Sequence, residues 1–258
     1  MGISLKNKIA FVTGASAGIG KSTATALARE GAKLLLCARS IDPLQAMLPE
    51  LMQAGAAGVH TLALDVRKRE EVEPTLAQLP DDWRNIEILV NNAGLARGLE
   101  KLYLDDVENW EEMIDTNMKG LLYVTRAVLP GMVERSAGHV VNLGSTAGWL
   151  AYAGGSVYCA TKAGERMLSD GMRIDLMGTP VRVTSIDPGM VETRFSEIRF
   201  GGDKERAAKV YANTTPLTPE DVADAIVWAV TRPAHVNVSS VLLTSIDQAN
   251  AVTIHRRA

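Results

Sequence analysis

The chain has 258 residues, of which 47% are hydrophobic and 22% are charged, and its formal net charge is −3. This length suits one large α/β domain or two small ones, with a composition that is ordinary for a globular protein. The slightly negative total charge gives no electrostatic argument for a nucleic-acid partner or an anionic membrane, and no apolar run is long enough to span a bilayer.

Cysteine and histidine usage argues against a disulfide framework and a metal centre. Cys37 and Cys159 are the only cysteines, which indicates a reducing compartment. The four histidines are dispersed and have no metal-ligand spacing, so we expect no metal. The N-terminus lacks the layout of a signal peptide, because Lys6 and Lys8 lead directly into an apolar run. We therefore expect a cytoplasmic protein.

Short apolar runs alternate with longer amphipathic stretches along nearly the whole chain. The near-continuous apolar runs predict strands buried on both faces of a parallel sheet, at residues 8–13, 33–38, 59–64, 86–90, 139–143, 181–186 and 241–243. The amphipathic stretches predict helices at residues 19–30, 44–54, 70–79, 110–133, 158–177 and 219–231. This alternation predicts an α/β protein with a single doubly wound Rossmann-type domain over residues 1–258, in which helices cover both faces of a seven-stranded parallel sheet.

Residues 190–216 interrupt this regular alternation. They combine Gly201 and Gly202 with many charges and few periodic apolar positions. Long irregular segments in compact domains are often binding loops, so we interpret this one as a substrate lid, with simple disorder as the alternative.

A glycine-rich turn lies between the first predicted strand and the first predicted helix. Gly14, Gly18 and Gly20 follow the pattern Gly-x-x-x-Gly-x-Gly, which matches the better-known Gly-x-Gly-x-x-Gly fingerprint only loosely. Glycines in this setting let the backbone approach a pyrophosphate at the helix N-terminus. We interpret the turn as a dinucleotide-binding element, with a purely structural turn as the alternative.

The end of the second strand indicates which dinucleotide binds. NAD-binding proteins place an acidic residue there for the ribose 2′-hydroxyl, whereas an arginine accommodates the 2′-phosphate of NADP. Arg39 and Ser40 occupy this position, and no acid occurs before Asp42. The sequence therefore favours NADP(H) as the cofactor.

Tyr158 and Lys162 stand four residues apart, with Ser145 upstream. On a helix they would lie one turn apart on the same face, where an ammonium favours the phenolate and lowers the tyrosine pKa from its free value of about 10. Tyrosine and lysine also meet at this spacing by chance, so the pair gains weight only from the other motifs.

Taken together, these motifs resemble the short-chain dehydrogenase/reductase family. Further family motifs occur in the expected order and cover most of the chain: Asp65-Val66 after the third strand, Asn91-Asn92-Ala93-Gly94 after the fourth, Asn117 in a long helix, and Pro188-Gly189-Met190-Val191-Glu192-Thr193 after the sixth. The resemblance implies an NADP-dependent oxidoreductase acting on CH–OH groups.

The resemblance also implies a catalytic set of four residues. Tyr158 would be the general acid/base, and Lys162 would lower its pKa and bind the nicotinamide ribose. Ser145 would hydrogen-bond the substrate oxygen, and Asn117 would hold a water that links Lys162 to solvent.

The cofactor residues that the resemblance implies fall into groups along the dinucleotide. Gly14, Ser16 and Ile19 would line the phosphates, Asp65 and Val66 the adenine, Asn91 the adenosine ribose, and Val191 and Thr193 the nicotinamide carboxamide. The full implied set is Gly14, Ser16, Ala17, Gly18, Ile19, Gly20, Arg39, Ser40, Asp65, Val66, Asn91, Ala93, Gly94, Tyr158, Lys162, Pro188, Gly189, Val191 and Thr193.

Four shorter stretches, residues 144–148, 152–155, 194–200 and 233–237, resemble the NADP-dependent 3-hydroxy acid dehydrogenase group within this family. This narrower resemblance implies small 3-hydroxy acids as substrates, such as L-serine, L-allo-threonine or 3-hydroxypropionate, or malonate semialdehyde in the reverse direction. A small acid needs a cationic partner, and arginine binds carboxylates through two parallel hydrogen bonds. We hypothesise that Arg199 binds the substrate carboxylate, with Arg194 second. A solvated lid arginine is the alternative for both.

Other functions remain open at this point. A general carbonyl or ketoacyl reductase and a sulfoacetaldehyde reductase would share the same chemistry, although Arg199 favours a small acid. A non-catalytic NADP-sensing protein would not need the complete set of Asn117, Ser145, Tyr158 and Lys162. The family resemblance also implies a homotetramer, built partly through the helices after Trp110 and after Tyr158.

Overall fold

The computed structural model describes residues 2–257, so Met1 and Ala258, the two ends of the predicted domain, lie outside the described residues. Within residues 2–257, seven strands form one parallel sheet in the order β3-β2-β1-β4-β5-β6-β7. The strands are β1 (Ile9–Thr13), β2 (Lys33–Ala38), β3 (Gly58–Ala63), β4 (Ile86–Asn91), β5 (His139–Leu143), β6 (Arg182–Pro188) and β7 (Ser240–Leu243). The order reverses direction after β3, between β1 and β4, which confirms the doubly wound α/β fold.

Helices cover both faces of this sheet. They are α1 (Gly18–Arg29), α2 (Asp42–Ala46), α3 (Leu48–Ala54), α4 (Arg69–Ala77), α5 (Val107–Met113), α6 (Leu121–Glu134), α7 (Ser156–Asp175), α8 (Phe195–Arg199), α9 (Lys204–Tyr211) and α10 (Pro219–Val230). A π-helical turn, Ile114–Gly120, joins α5 to α6. Within residues 2–257, no helix combines the length and apolar character needed to cross a bilayer.

The five central strands are buried because each of their faces packs against a separate apolar core, whereas the edge strands β3 and β7 are partly exposed. Val12, Leu34 and Leu36 lie in the core formed with α1 and α10. Phe11 and Leu35, the neighbours of these residues along the same strands, lie in the core formed with α4 and α6. Successive strand side chains point to opposite faces, so a sheet covered on both sides requires continuous apolar runs. The predicted strands follow from this requirement.

Two predicted helices differ from the observed ones. The stretch 44–54 forms two short helices that meet at Met47, because Pro49 has no backbone N–H to continue the ladder. The stretch 110–133 contains the π-helical turn, whose wider backbone turns Asn117 inward to bond with Leu95. Local periodicity did not predict either interruption.

Residues 190–216 are more regular than the sequence predicts, because they contain α8 and α9. Gly201 and Gly202 connect these helices with positive φ angles of 62° and 95°. The Asp203 side chain accepts a hydrogen bond from the Arg206 amide at 2.9 Å and caps α9. The Gly-Gly-Asp sequence that predicted a loop therefore marks a helix boundary.

One buried histidine couples the stability of this fold to pH. His139 in β5 hydrogen-bonds Thr184 through Nε2 at 2.8 Å. The Thr184 hydroxyl donates to the Val238 carbonyl, so it accepts from the imidazole, which leaves Nδ1 as a buried acceptor without a partner. Burial, followed by the charge of Arg182, lowers the pKa of His139 to about 3.

We expect the free energy of unfolding to fall by about 2 kcal/mol between pH 7 and pH 5 through His139 alone, because only the unfolded state binds the proton in that range. Urea unfolding at both pH values measures this effect. In a His139→Gln variant, the free energy of unfolding should fall by about 2 kcal/mol less than in the parent over the same pH range. His235→Gln, at an exposed histidine, controls for the removal of one imidazole. Equal losses in the parent and in His139→Gln would contradict the assignment.

Candidate active site

A cleft of about 1020 Å³ opens at the edge of the sheet where β1, β4, β5 and β6 end. Open parallel sheets bind ligands at this edge, next to the point where the strand order reverses. Among the predicted cofactor residues, those that line the cleft are Gly14, Ser16, Ala17, Gly18, Ile19, Ala93, Gly94, Tyr158, Lys162, Pro188, Gly189, Val191 and Thr193. Ser145 and Arg194 also line it. The predicted residues that lie outside its lining are Gly20, Arg39, Ser40, Asp65, Val66, Asn91, Asn117 and Arg199.

The glycine turn has the geometry of an anion-binding element. Gly14 and Gly18 have φ angles of 62° and 51°, a region that side chains disfavour. A Cβ at Gly20 would collide with the Gly14 carbonyl and the Asn92 side chain. Helix α1 begins at Gly18 and has no acidic side chain in its first turn, so its free backbone N–H groups and dipole favour an anion. A pyrophosphate fits this turn.

Asn92, which the sequence analysis did not assign a role, holds the glycine turn in place. Its Nδ2 donates to the carbonyls of Thr13 at 2.8 Å and Gly14 at 3.1 Å. The neighbouring Asn91 instead directs Nδ2 to Thr125 and Asn142, at 2.9 Å each, inside the core. The structure therefore does not bring the Asn91 side chain to the cleft. Asn91 is the last residue of β4 and Asn92 is the first residue after it, and only strand register decides which one faces the turn.

The predicted adenine and 2′-phosphate residues lie beside a cluster of charges. Arg67 binds both carboxylate oxygens of Asp65 through Nε, at 3.0 Å each, and this pairing lowers the Asp65 pKa. Glu112 on α5 accepts from Arg97 Nε at 2.6 Å and lies 4.0 Å from Arg39. The Arg39 side chain is 60% exposed at the end of β2. An anion can therefore reach its guanidinium.

Val66 and Ser40, the other two residues predicted near the adenine and the 2′-phosphate, differ in their exposure. Val66 is buried and packs so closely on Gly120 that a Cβ at that glycine would lie 2.7 Å from a Val66 methyl group. Ser40 follows Arg39 at the exposed surface. The hydrophobic contact of Val66 therefore fixes the loop after β3 against the π-helical turn.

Tyr158 lies in the first turn of α7 and is only 8% exposed. Phe195 packs beside it with a ring-centroid distance of 5.7 Å. Burial, followed by the charge of Glu165, raises the pKa of the Tyr158 phenol, while a hydrogen bond with Ser145 opposes this shift. The sequence predicts instead a lowered Tyr158 pKa, because the spacing indicates a nearby Lys162. It does not indicate that the phenol is buried or that the charge of Glu165 acts on it.

The Lys162 ammonium is engaged by a buried carboxylate that the sequence analysis did not single out. Its Nζ donates to Glu165 at 2.9 and 3.0 Å and to the Leu143 carbonyl at 2.8 Å. It lies 5.9 Å from the centre of the Tyr158 ring. Burial raises the pKa of Glu165 to about 7, although the Lys162 charge opposes this shift. The sequence contains one signal for this pair, because an acid three residues after a lysine on a helix can reach its ammonium.

Asn117 connects this centre to the loop after β4. Its Oδ1 accepts from the Leu95 amide at 2.9 Å, and its Nδ2 donates to the Leu95 carbonyl at 2.9 Å and to Thr161 at 3.0 Å. A Cβ at Gly94 would lie 3.3 Å from Asn117 Oδ1 and 3.5 Å from Lys162 Nζ. The structure thus brings both Asn117 and Lys162 next to Gly94, and both amide protons of Asn117 have protein acceptors.

The two predicted substrate arginines differ in position. Arg199 donates from Nε to the Gly98 carbonyl at 2.9 Å and from Nη2 to the Tyr152 hydroxyl at 2.8 Å. Its guanidinium carbon lies 5.4 Å from the centre of the Tyr158 ring. Arg194 is 75% exposed and pairs with Glu197 at 3.3 Å. The structure therefore holds Arg199 firmly near the tyrosine and leaves Arg194 at the outer wall of the cleft.

Comparison with known proteins places this fold and site among dehydrogenases. The chain is 52% identical over 250 residues to an NADP-dependent 3-hydroxy acid dehydrogenase of Salmonella typhi, with 96% of this chain and 99% of the relative covered. It is 39% identical over 254 residues to an NADP-dependent 3-hydroxy acid dehydrogenase of Schizosaccharomyces pombe, with 98% of each covered.

A solved structure and a family description agree with these relatives. The closed form of serine dehydrogenase complexed with NADP+ superposes with a TM-score of 0.91 at 50% identity. The match covers 96% of this chain and 100% of that chain. The family described as short chain dehydrogenase matches residues 8–201. The chain therefore belongs to the short-chain dehydrogenase family.

Proposed function

We propose that this protein is an NADP(H)-dependent oxidoreductase that interconverts a small 3-hydroxy acid, such as L-serine, L-allo-threonine or 3-hydroxypropionate, and its oxo form. The observation that carries this proposal is the anchored guanidinium of Arg199, 5.4 Å from the centre of the Tyr158 ring. A cation beside the ring of the proposed proton donor suits a substrate whose reacting oxygen lies close to a carboxylate. The relatives named as 3-hydroxy acid dehydrogenases support the same substrate class.

The cleft suits the pyrophosphate and nicotinamide half of a dinucleotide, and the residues predicted for the adenosine half lie beyond its lining. The glycine turn presents free N–H groups to a pyrophosphate, and Arg39 presents an exposed guanidinium to a 2′-phosphate. The predicted groups would hold the cofactor in this order: Arg39 and Ser40 at the 2′-phosphate, Asp65 and Val66 at the adenine, Lys162 at the nicotinamide ribose, Val191 and Thr193 at the carboxamide. When bound, NADP(H) supplies or accepts the hydride.

Tyr158 would exchange the proton with the substrate oxygen. Its phenol is buried beside Ser145, whose hydroxyl would hydrogen-bond the same oxygen as charge develops on it. Because burial raises the Tyr158 pKa, the phenol stays protonated and can donate in the reduction direction. Phe195 packs on the ring and excludes water from this side. Asn117, through Leu95, fixes the loop that forms the opposite wall.

Arg199 would bind the carboxylate of the substrate. Its bonds to Gly98 and Tyr152 hold the side chain in one orientation, so binding costs little further side-chain entropy. Residues 190–216 would act as the substrate lid that carries this arginine. Arg97 donates to the Ile198 carbonyl at 2.7 Å and ties the same segment to the site. Arg194 would stabilise an anion only at the outer wall.

Two further features support the proposed assembly and location of the protein. Ile114, Leu122, Met167 and Ile174 are exposed apolar side chains on the π-helical turn, α6 and α7. Exposed apolar side chains of this kind support the proposal of a homotetramer in which these helices pack against other copies of the chain. Cys37 and Cys159 are both free, which fits the reducing cytoplasm.

We expect Tyr158→Phe to lower kcat by about 10²- to 10⁴-fold, because the ring remains but the transferable proton is lost. NADPH binding, followed by fluorescence, should stay close to that of the parent. Tyr123→Phe on α6 removes a hydroxyl outside the cleft and serves as the control. Residual turnover of Tyr158→Phe within tenfold of the parent would contradict the proposed role.

We expect Arg199→Ala to raise KM for 3-hydroxy acids by about ten- to a hundredfold, because a charge-assisted hydrogen bond contributes about 1.5–3 kcal/mol. Neutral alcohols should be affected much less. A panel of L-serine, 3-hydroxypropionate, malonate semialdehyde and sulfoacetaldehyde against neutral alcohols and ketones, followed by NADPH absorbance, measures both effects. Sulfoacetaldehyde tests whether a sulfonate replaces the carboxylate.

Arg206→Ala is the matched control for this experiment, because Arg206 also stacks on an aromatic ring of the same segment, at 4.4 Å from Phe200. Equal losses with acids and neutral alcohols in Arg199→Ala would show that Arg199 supports the segment rather than the substrate. A parent that prefers neutral ketones would favour a general carbonyl reductase.

We expect Arg39→Asp to lower the ratio of kcat/KM with NADP to that with NAD by about a hundredfold or more, because a carboxylate repels the 2′-phosphate and can accept from a 2′-hydroxyl. Initial rates with both cofactors measure the ratio. Arg29→Asp makes the same charge change at the opposite edge of the sheet as a control. An unchanged ratio in Arg39→Asp would place the 2′-phosphate contact elsewhere.

A further inference from the structure

A fully buried ion pair lies directly behind the proposed proton donor. The side chains of Lys162 and Glu165 are 7% and 3% exposed, and their Nζ–Oε2 distance is 2.9 Å. The Leu143 carbonyl is the third acceptor of the ammonium, at 2.8 Å. In this arrangement the protons of Lys162 face a carboxylate and a strand end. The phenol of Tyr158 is therefore not a hydrogen-bond acceptor of the lysine.

A buried acid at this place needs an explanation, because removing a carboxylate from water is costly even when it is paired. Other buried positions on α7 carry small polar side chains, such as Thr161 and Ser169. The Ser169 hydroxyl donates to the backbone carbonyl of Glu165 at 2.8 Å, not to its carboxylate, and accepts from Asn142 Nδ2 at 2.8 Å. The carboxylate itself is therefore directed at the lysine.

The charged groups around Glu165 are few. On its own helix, Lys162 lowers its pKa, and Tyr158 feels its charge. From β6, the buried Asp187 faces it and raises its pKa. Two arginines complete the surroundings: Arg199 on α8 lies 5.4 Å from the centre of the Tyr158 ring and lowers the phenol pKa, and Arg166, next to Glu165 on α7, stacks on Trp149 at 4.7 Å.

We propose that Glu165 is a positioning residue that determines how much of the Lys162 charge reaches Tyr158, and thereby sets the pH range in which Tyr158 exchanges its proton. This inference rests on the proposed role of Tyr158. An ionised Glu165 holds the ammonium toward Leu143 and opposes a negative charge on the phenol. A neutral side chain at position 165 leaves the ammonium uncompensated, which favours the phenolate.

The charge of Glu165 has different consequences for the oxidation and the reduction rates. Oxidation of a hydroxy acid needs the phenolate as base, so an ionised Glu165 moves the onset of oxidation to higher pH. Reduction needs the protonated phenol, so the same charge extends reduction to higher pH. Glu165 therefore sets the pH limits within which each direction proceeds and leaves the equilibrium between them unchanged.

Glu165→Gln tests this inference, because it keeps the volume and one hydrogen-bond acceptor but removes the charge. We expect the acid limb of kcat/KM for hydroxy acid oxidation with NADP to move down by about one pH unit or more. The alkaline limb of oxo acid reduction should move in the same direction. Glu165→Asp retains the charge and should keep the parent profile, and Asp175→Asn, at an exposed acid on the same helix, should keep it as well.

A merely structural role would lower kcat or thermal stability without moving either limb, so superimposable profiles for Glu165→Gln and the parent would overturn the inference. If Glu165→Gln does not fold, Glu165→Met is a second neutral variant of similar length, and its profile must move in the same direction. Failure of the underlying proposal is separable, because it would appear as retained turnover in Tyr158→Phe.

Discussion

The parallel arrangement of the strands is the constraint on which the site depends. All seven strands described within residues 2–257 run in one direction, so the segments that follow β1, β4, β5 and β6 meet at the same edge. Thr13 and Asn92 are 79 residues apart in sequence, yet the Thr13 hydroxyl accepts the Asn92 amide at 3.0 Å. An anion-binding turn, a buried phenol and an arginine can face one cleft because the sheet aligns their starting points.

Burial then determines the electrostatics at this edge. Lys162, Glu165 and Asp187 are charged or ionisable groups with almost no access to water, and each is stabilised by specific partners. Asp187 accepts from Ser185 at 2.6 Å, from Ser240 at 2.8 Å and from Trp149 at 3.1 Å. Such pairing in a medium of low polarity makes each group sensitive to the charge state of its neighbours. The proposed chemistry of Tyr158 depends on this network as a whole.

Local patterns predicted the fold well because a sheet covered on both faces requires apolar runs that are visible in the sequence. The glycine turn was predicted for a similar reason, since positive φ at Gly14 and Gly18 restricts the residue type. The helices within 190–216 were missed because their stability comes from contacts such as that of the Tyr211 hydroxyl with Ser196 at 2.8 Å. Periodicity within the segment does not reveal such contacts.

The sequence by itself determined the order of strands and helices, the dinucleotide-binding turn and the four-residue spacing of Tyr158 and Lys162, because these features depend on neighbours along the chain. Only the tertiary structure decided which of Asn91 and Asn92 holds the turn. It also decided that Glu165 pairs with Lys162 and that Arg199 lies near the phenol. These outcomes depend on strand register, side-chain burial and contacts between distant segments, none of which local spacing encodes.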